Sequence, residues 1–302
     1  MSAQEVNPLL RPKDHLLRRR LTNRGMELLA WLAAALAVFF LGVIVWSVAR
    51  QGLSQLSLSL FTKSQSVGFF GPTTEKLGLA NAFVGSLVIV GIATAIALPF
   101  GILIAIYVNE FAGKTIRSAV TLVLDVLAGV PAIVIGIFVF QLIVVGRGQS
   151  GYAGGFALSI LMLPLVARAT MEVLALVPNS LREAALGVGA PRWRVTLGVI
   201  LPQTIGGVLT GAVLAIARIA GETAPLLLVC SLVGGPAVNW NPAQALMTVP
   251  LAIFELSDQS DSQEHALAWA GALVLILFIL VVSLTARWLA TRSRRKIMRA
   301  SG

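Results

Sequence analysis

Six stretches of the chain are long and apolar enough to cross a lipid bilayer, and that constrains the fold more than any other feature. A hydrocarbon core needs about 20 consecutive apolar residues per helix, because no water is present there to satisfy backbone groups. The stretches are residues 28–48, 80–108, 119–145, 152–177, 204–233 and 266–284. The first carries no charge, exceeds the length of a signal-peptide core and is followed by no small-residue cleavage site, so it reads as a retained span. The second holds Pro99 and the third holds Gly129 and Pro131, where each could bend. With 57% hydrophobic and 12% charged residues and a mean hydropathy of +0.88, a water-soluble globule is excluded. One cysteine, Cys230, and two distant histidines, His15 and His265, exclude a disulfide framework and a His/Cys zinc centre.

Charge then orients the spans. Among 302 residues there are 23 Lys+Arg and 13 Asp+Glu. Outside the spans, 17 Lys and Arg lie before the first, in the second and fourth connections, and after the sixth, against 4 in the other three connections. The positive-inside rule places both termini in the cytoplasm, which requires an even number of spans and agrees with six. Residues 1–27 and 291–302 read as basic cytoplasmic tails around a membrane domain at 28–290, and residues 1–20 hold too few large apolar groups to pack. Basic tails also suit anionic lipid or nucleic acid. Orientation is the simpler reading, so the lipid bilayer is expected as a partner and nucleic acid is not.

The connection at residues 178–202 is too long for a simple turn and carries structure of its own. Asn179 or Ser180 can cap a short helix with Glu183 in its first turn, favourable at the positive end of the helix dipole. Leu181, Ala184, Ala185 and Val188 fall on one stripe, and Gly187, Gly189 and Pro191 end the helix. A second amphipathic piece, residues 193–200, leads into Leu201-Pro202. By composition alone it could lie on lipid head groups. Glu183-Ala184-Ala185, then Gly189 and Leu201-Pro202, resembles the EAA loop of ABC importer permeases of the MetI-like architecture, with Val199 where that family has Ile. The resemblance implies that Glu183, Ala184, Ala185, Gly189, Leu201 and Pro202 dock on an ATP-binding subunit. The chain has no G-x-x-x-x-G-K-[ST] phosphate loop, so ATP and its Mg are expected on partner subunits. No cofactor and no enzymatic chemistry are expected in this chain.

Two arginines stand inside spans, each four residues before a glutamate: Arg168 with Glu172 and Arg218 with Glu222. Helical spacing puts each pair on one face. At about 1.5 Å per residue the arginines lie roughly 14 and 24 Å from the cytoplasmic ends of their spans, on either side of the middle of a core about 30 Å thick. An arginine there costs about 2.5–3.5 kcal/mol on insertion scales, so it should face a cavity or a partner. Its planar fork of donors suits a tetrahedral oxyanion. Arg168, Arg218, Glu172 and Glu222 are therefore the candidate substrate path, with a loosely held glutamate keeping the anion from binding too tightly to leave. The alternative is a pair of intrahelical Arg–Glu braces.

The run from Ala215 through Arg218 and Gly221-Glu222-Thr223-Ala224-Pro225-Leu226-Leu227 resembles the signature of PstA-type subunits of bacterial phosphate ABC importers. Leu127 to Gly136, Leu163-Pro164 through Arg168 to Pro178, and Pro250 to Ile253 with Ala268-Trp269-Ala270 are similar to the same family. Leu228-Val229-Cys230 departs from its usual Phe-Thr-Ala. The resemblance implies a subunit of an inorganic phosphate importer in the bacterial cytoplasmic membrane. It further implies a PstC-type permease partner, two PstB-type ATP-binding subunits and a PstS-type external binding protein. Arg168 and Arg218 match arginines associated with transport in that family. Permeases for sulfate, molybdate or phosphonate are the nearest rival and lack the Gly221–Leu227 run. A secondary transporter driven by ion gradients needs no docking loop, and a membrane scaffold needs no intramembrane arginine.

Weaker features complete the reading. Asp125 near one end of the third span reads as an interfacial cap or snorkelling residue. Glu255, Asp258, Asp261 and Glu264 would line one face of a helix, by default a solvated one. Gly85, Gly91 and Gly101 in the second span, and Gly207 and Gly211 in the fifth, suit close helix contact.

Overall fold

The computed structural model describes residues 13–64, 78–231, 237–259 and 262–300. Every regular element among them is helical. Residues up to Arg50 form one compact unit and residues from Gln51 another. Helix α1 (Lys13–Gly52) keeps its apolar side chains, such as Trp31 and Phe39, exposed, as a lipid-facing span requires. Its helix begins at Lys13, so the basic residues from there to Arg24 continue the span's helix where composition suggested an unstructured tail. Residues 1–12 lie outside the described residues.

The second unit contains α2 (Leu58–Thr62), α3 (Ala80–Ile106), α4 (Lys114–Gly129), α5 (Ala132–Val139), α6 (Gly151–Ala175), α7 (Asn179–Gly187), α8 (Arg192–Val195), α9 (Leu201–Ala220), α10 (Leu226–Val229), α11 (Val249–Asp258) and α12 (Ser262–Ala300). Helices α1, α3, α6, α9 with the turns before it, and α12 are each long and apolar enough to span. The pair α4 and α5, with the turn after α5 to Val144, is bent by 94° and passes the same test only when taken together, which gives five spanning helices, or six with the bent pair counted as one span. Pro131 causes the break, because the residue before a proline is driven out of the helical region; Val130 is extended at φ −66°, ψ 129°. Pro99 and Pro164 do not interrupt α3 or α6, since their lost hydrogen bonds are tolerated within a packed bundle.

The core centres on α3 against α6, the most closely associated pair. Ile89, Ala93 and Ala97 of α3 and Ala157, Leu158 and Met162 of α6 are buried there. A Cβ on Gly101 would lie 2.9 Å from Val166, so only glycine permits that approach. Gly85 serves the same purpose against the Met247 carbonyl, whereas nothing approaches Gly91. At the far end, the segment before α11 folds back over the start of α6. Gly151 and Tyr152 donate their N–H groups to the carbonyls of Gln244 and Pro242 at 2.9 and 3.0 Å, and Ser150 Oγ caps Ala153. These contacts satisfy donors that a helix start leaves open.

The predicted acidic stripe is not one helical face. Glu255 and Asp258 belong to α11 and Glu264 to α12, with residues 259–261 between the helices and Asp261 outside the described residues.

Candidate functional site: two intramembrane arginines and a docking loop

Arg168 projects from α6 with its side chain one-third exposed, and its ion-pair partner is Asp125 of α4. The intrahelical pairing with Glu172 does not form, and Glu172 is exposed without a side-chain partner among the described residues. Asp125, read from the sequence as an interfacial cap or snorkelling residue, is the ion-pair partner of Arg168. Leu124 and Val120 bury one side of α4 against the second core cluster. The neighbouring Asp125 is thereby left beside α6, half exposed. Both groups remain open to whatever lies alongside, so their attraction is screened and modest compared with a dry pair.

Arg218 occupies the last turn of α9, where a cation suits the negative end of the helix dipole. The predicted span through Val233 is interrupted: α9 ends at Ala220, and residues 221–225 run as turns to α10. The helix stops at Gly221, at φ −95° and ψ 3°, and Pro225 opens the next short helix. Glu222 therefore leaves the helical face that it was expected to share with Arg218. No ion pair joins the two, and Arg218 is exposed with no side-chain partner among the described residues. Paired intrahelical braces thus do not describe these four residues.

The two arginines are nonetheless brought onto neighbouring helices. A Cβ on Gly207 would lie 2.6 Å from Val173, and one on Gly211 2.7 Å from Ala169. This register makes α9 antiparallel to α6 and explains the Gly207-x-x-x-Gly211 spacing as a seam beside Arg168. Continuing along it at about 1.5 Å per residue, Arg218 and Arg168 are offset by roughly 9 Å along the axes. Gly136 of α5 in turn packs on the Pro225 backbone, where a Cβ would meet Pro225 Cα at 2.7 Å. The helix that follows the bend in the third span therefore packs on the break in the fifth. Substituting Gly211 by leucine should overpack the seam and cost about 1–3 kcal/mol, read as a lower thermal unfolding midpoint of the detergent-purified protein.

The loop helix α7 spans Asn179–Gly187 as expected, but begins after Pro178 with no side-chain cap. The Asn179 carboxamide is engaged elsewhere, accepting from Arg182 at 3.2 Å. Gly189 stops the helix at φ +82° with open space around it, a left-handed backbone that L-residues adopt only at a cost. The apolar stripe divides. Leu181 and Ala185 pack on the second core cluster, whereas Ala184 and Val188 are exposed beside exposed Glu183. The outward face of α7 thus offers a carboxylate and small apolar groups for a partner. From Arg192 the chain runs helically into α9 through a widened turn at Thr196–Ile200. That turn precedes Pro202, which cannot donate to the preceding turn. Leu201 is half-buried and Pro202 exposed within the same helix.

Sequence reading missed one cluster at this end. Glu110, in the widened turn Tyr107–Phe111 that closes α3, accepts two hydrogen bonds from Arg182, at 3.3 Å from Nε and 3.0 Å from Nη2. Its side chain is only 8% exposed. Asn109 beside it donates to the Met171 carbonyl at 2.8 Å and accepts from Arg117 at 3.2 Å. The available signal was a lone carboxylate at the end of an otherwise apolar span. No group of three or more potential metal ligands occurs among the described residues.

Residues 97–295 match the family model described as binding-protein-dependent transport system inner membrane component. The chain is 40% identical over 280 residues to the phosphate transport system permease protein PstA of Xylella fastidiosa (strain 9a5c), covering 92% of this chain and 95% of that one. It is 36% identical to the PstA protein of Haemophilus influenzae, covering 89% and 94%. It is 35% identical to PstA 1 of Mycobacterium tuberculosis (strain ATCC 25618 / H37Rv), covering 97% and 96%. Among solved structures, a chain of a bacterial alginate ABC transporter superposes with a TM-score of 0.62 at 17% identity, covering 90% of this chain and 96% of that one. A chain of the inward-facing MetNI methionine ABC transporter gives 0.54 at 15% identity, covering 70% and 93%. At such identities these two matches establish the fold.

Proposed function

Because the chain belongs to the binding-protein-dependent transport system inner membrane components, and within them to the PstA-type permeases, we propose that Arg168 and Arg218 line the path of inorganic phosphate through an ATP-driven importer. The chain is a transport subunit of a multi-pass membrane protein complex and not an enzyme. Its fold supplies half of a translocation path, and a PstC-type permease supplies the other half across the exposed faces of α6 and α9. Two PstB-type subunits bind ATP and Mg and receive α7. A PstS-type protein delivers phosphate from outside the bacterial inner membrane. Both termini and the loop at 178–202 are cytoplasmic, in accord with the distribution of basic residues.

One observation carries this reading. The two intramembrane guanidiniums lie on adjacent antiparallel helices and are not consumed by fixed internal partners. Among the described residues Arg218 has no side-chain partner, and Arg168 faces a single, half-exposed carboxylate. Burying such charge against lipid is unfavourable, so an aqueous route is the arrangement that stabilises it. An arriving phosphate can meet Arg218 first and then exchange with Asp125 at Arg168, nearer the cytoplasmic side, each step a weak, charge-assisted contact. ATP hydrolysed on the partners moves α7, and the opening of the path alternates between the two sides.

Purification from native membranes tests the assembly. An ATP-binding chain and a second six-span chain are expected to copurify, and proteoliposomes holding all components plus the external binding protein should accumulate phosphate only with internal ATP. Accumulation of sulfate in preference to phosphate would contradict the substrate, and accumulation driven by an ion gradient without ATP would contradict the mechanism.

A further inference from the structure

We infer that the Glu110–Arg182 pair is the link through which movement of the docking helix reaches the transport path, an inference that rests on α7 being the ATPase-docking element. Arg182 precedes Glu183 directly, and the two side chains take opposite directions. Glu183 is exposed, and Arg182 turns inward with its side chain 20% exposed.

A guanidinium has five N–H donors, and all five are engaged. Nε and Nη2 donate to the two oxygens of Glu110. Nη2 also donates to the Leu174 carbonyl at 2.8 Å, and Nη1 to the Val177 carbonyl at 2.6 Å and to Asn179 Oδ1. A saturated guanidinium has no donor left for a substrate anion or a partner protein. What it does is fasten three elements to one point: α7 itself, the end of α3 through Glu110, and the end of α6 through Leu174 and Val177.

A cavity of about 360 Å³ opens beside the pair, lined by Glu110 and Arg182 together with Asn109, Arg117, Leu186 and Arg192 among others, so the pair bridges a gap that side-chain packing leaves open. Displacement of α7 therefore passes to the spans through Arg182 and through the small contacts of Leu181 and Ala185. Helix α6 carries Arg168 six residues before Leu174, and α3 and α6 move as a unit because they are the most closely packed pair. A bidentate carboxylate fixes the plane of the guanidinium as well as its position, which a single hydrogen bond does not. Glu110 and Arg182 are thus positioning residues for transport and touch no substrate.

The test uses the assembled importer in proteoliposomes with its external binding protein. Glu110→Gln removes the charge. Because one lone partner of a buried pair can prevent folding, the double variant Glu110→Met with Arg182→Met removes both and leaves no orphaned charge. Both should retain the copurifying ATP-binding chain and hydrolyse ATP at a rate near that of the unaltered complex. Phosphate accumulated per ATP should fall by roughly tenfold or more, within the usual range of coupling between distinct sites. Unchanged phosphate per ATP in either variant would overturn the inference. So would loss of the ATP-binding chain from the double variant, since the pair would then serve docking. Failure of the docking reading itself is seen separately, as absence of an ATP-binding chain from the unaltered complex.

Discussion

Glutamine in place of Arg168 or Arg218 is expected to reduce phosphate uptake by roughly ten- to a hundredfold while the partner chains still copurify. Each substitution forfeits a charge-assisted hydrogen bond to the anion worth about 1.5–3 kcal/mol, at about 1.4 kcal/mol per factor of ten. The two should differ in their side effects. Arg218 has no side-chain partner among the described residues, so Arg218→Gln orphans none of them and should not lower the yield of the complex. Arg168→Gln strands Asp125 as an intramembrane carboxylate without its cation, which is costly. Its yield should fall and should recover when Asp125→Asn is added, although uptake should not. Normal uptake in both single variants, scored with radiolabelled phosphate in cells lacking other importers, would remove the two arginines from the path.

The second large effect is expected at the loop. Glu183→Lys reverses the charge on the exposed face of α7, and ATP-dependent uptake should become undetectable while membrane insertion persists. Gly189→Val should act similarly for a different reason. Nothing lies within 4 Å of the position where its Cβ would stand, so no clash arises. The penalty comes from the backbone at φ +82°, about 1–2 kcal/mol for an L-residue even before β-branching is counted. The loop would relieve that strain by shifting α7 from its docking geometry. ATP hydrolysis by the purified complex, stimulated by phosphate-loaded binding protein, separates the outcomes. Stimulation should vanish in both variants, and native stimulation in either would contradict docking through α7.

How much of this was legible in the sequence depends on the range of the interactions. Hydropathy and length located the spans, because burial in hydrocarbon imposes one composition wherever it occurs. The α7 helix and its stop at Gly189 were legible because turn chemistry is local. The bend of the third span was legible from Gly129 and Pro131, whereas the fifth was read as continuous and stops at Gly221, a break that hydropathy does not register because the window around it stays apolar overall. That break also overturned the pairing argument. Spacing of four residues paired Arg218 with Glu222 only while the helix continued, and Arg168 found a stronger partner on another helix. Asp125 and Glu110 share the same difficulty. Their partners lie 43 and 72 positions away in sequence, and no periodicity relates residues across such distances. The glycines of α9 were recognised as suited to close contact, but that the contact is α6 beside Arg168 emerged only from the register of Gly207 with Val173 and Gly211 with Ala169.

Accessibility along α9 tests the central claim most directly, namely that the face bearing the arginines borders a passage for the anion. Leu214 lies one turn before Arg218 and is exposed in this chain, while the sole native cysteine, Cys230, is fully buried and serves as an internal control. In the complete importer, Leu214→Cys is predicted to react with a charged, membrane-impermeant thiol reagent, and reaction should slow when phosphate is being transported. A cysteine there that stays unreactive in every state, with labelling seen only for lipid-soluble reagents, would show that this face meets oil, and the path would have to run elsewhere.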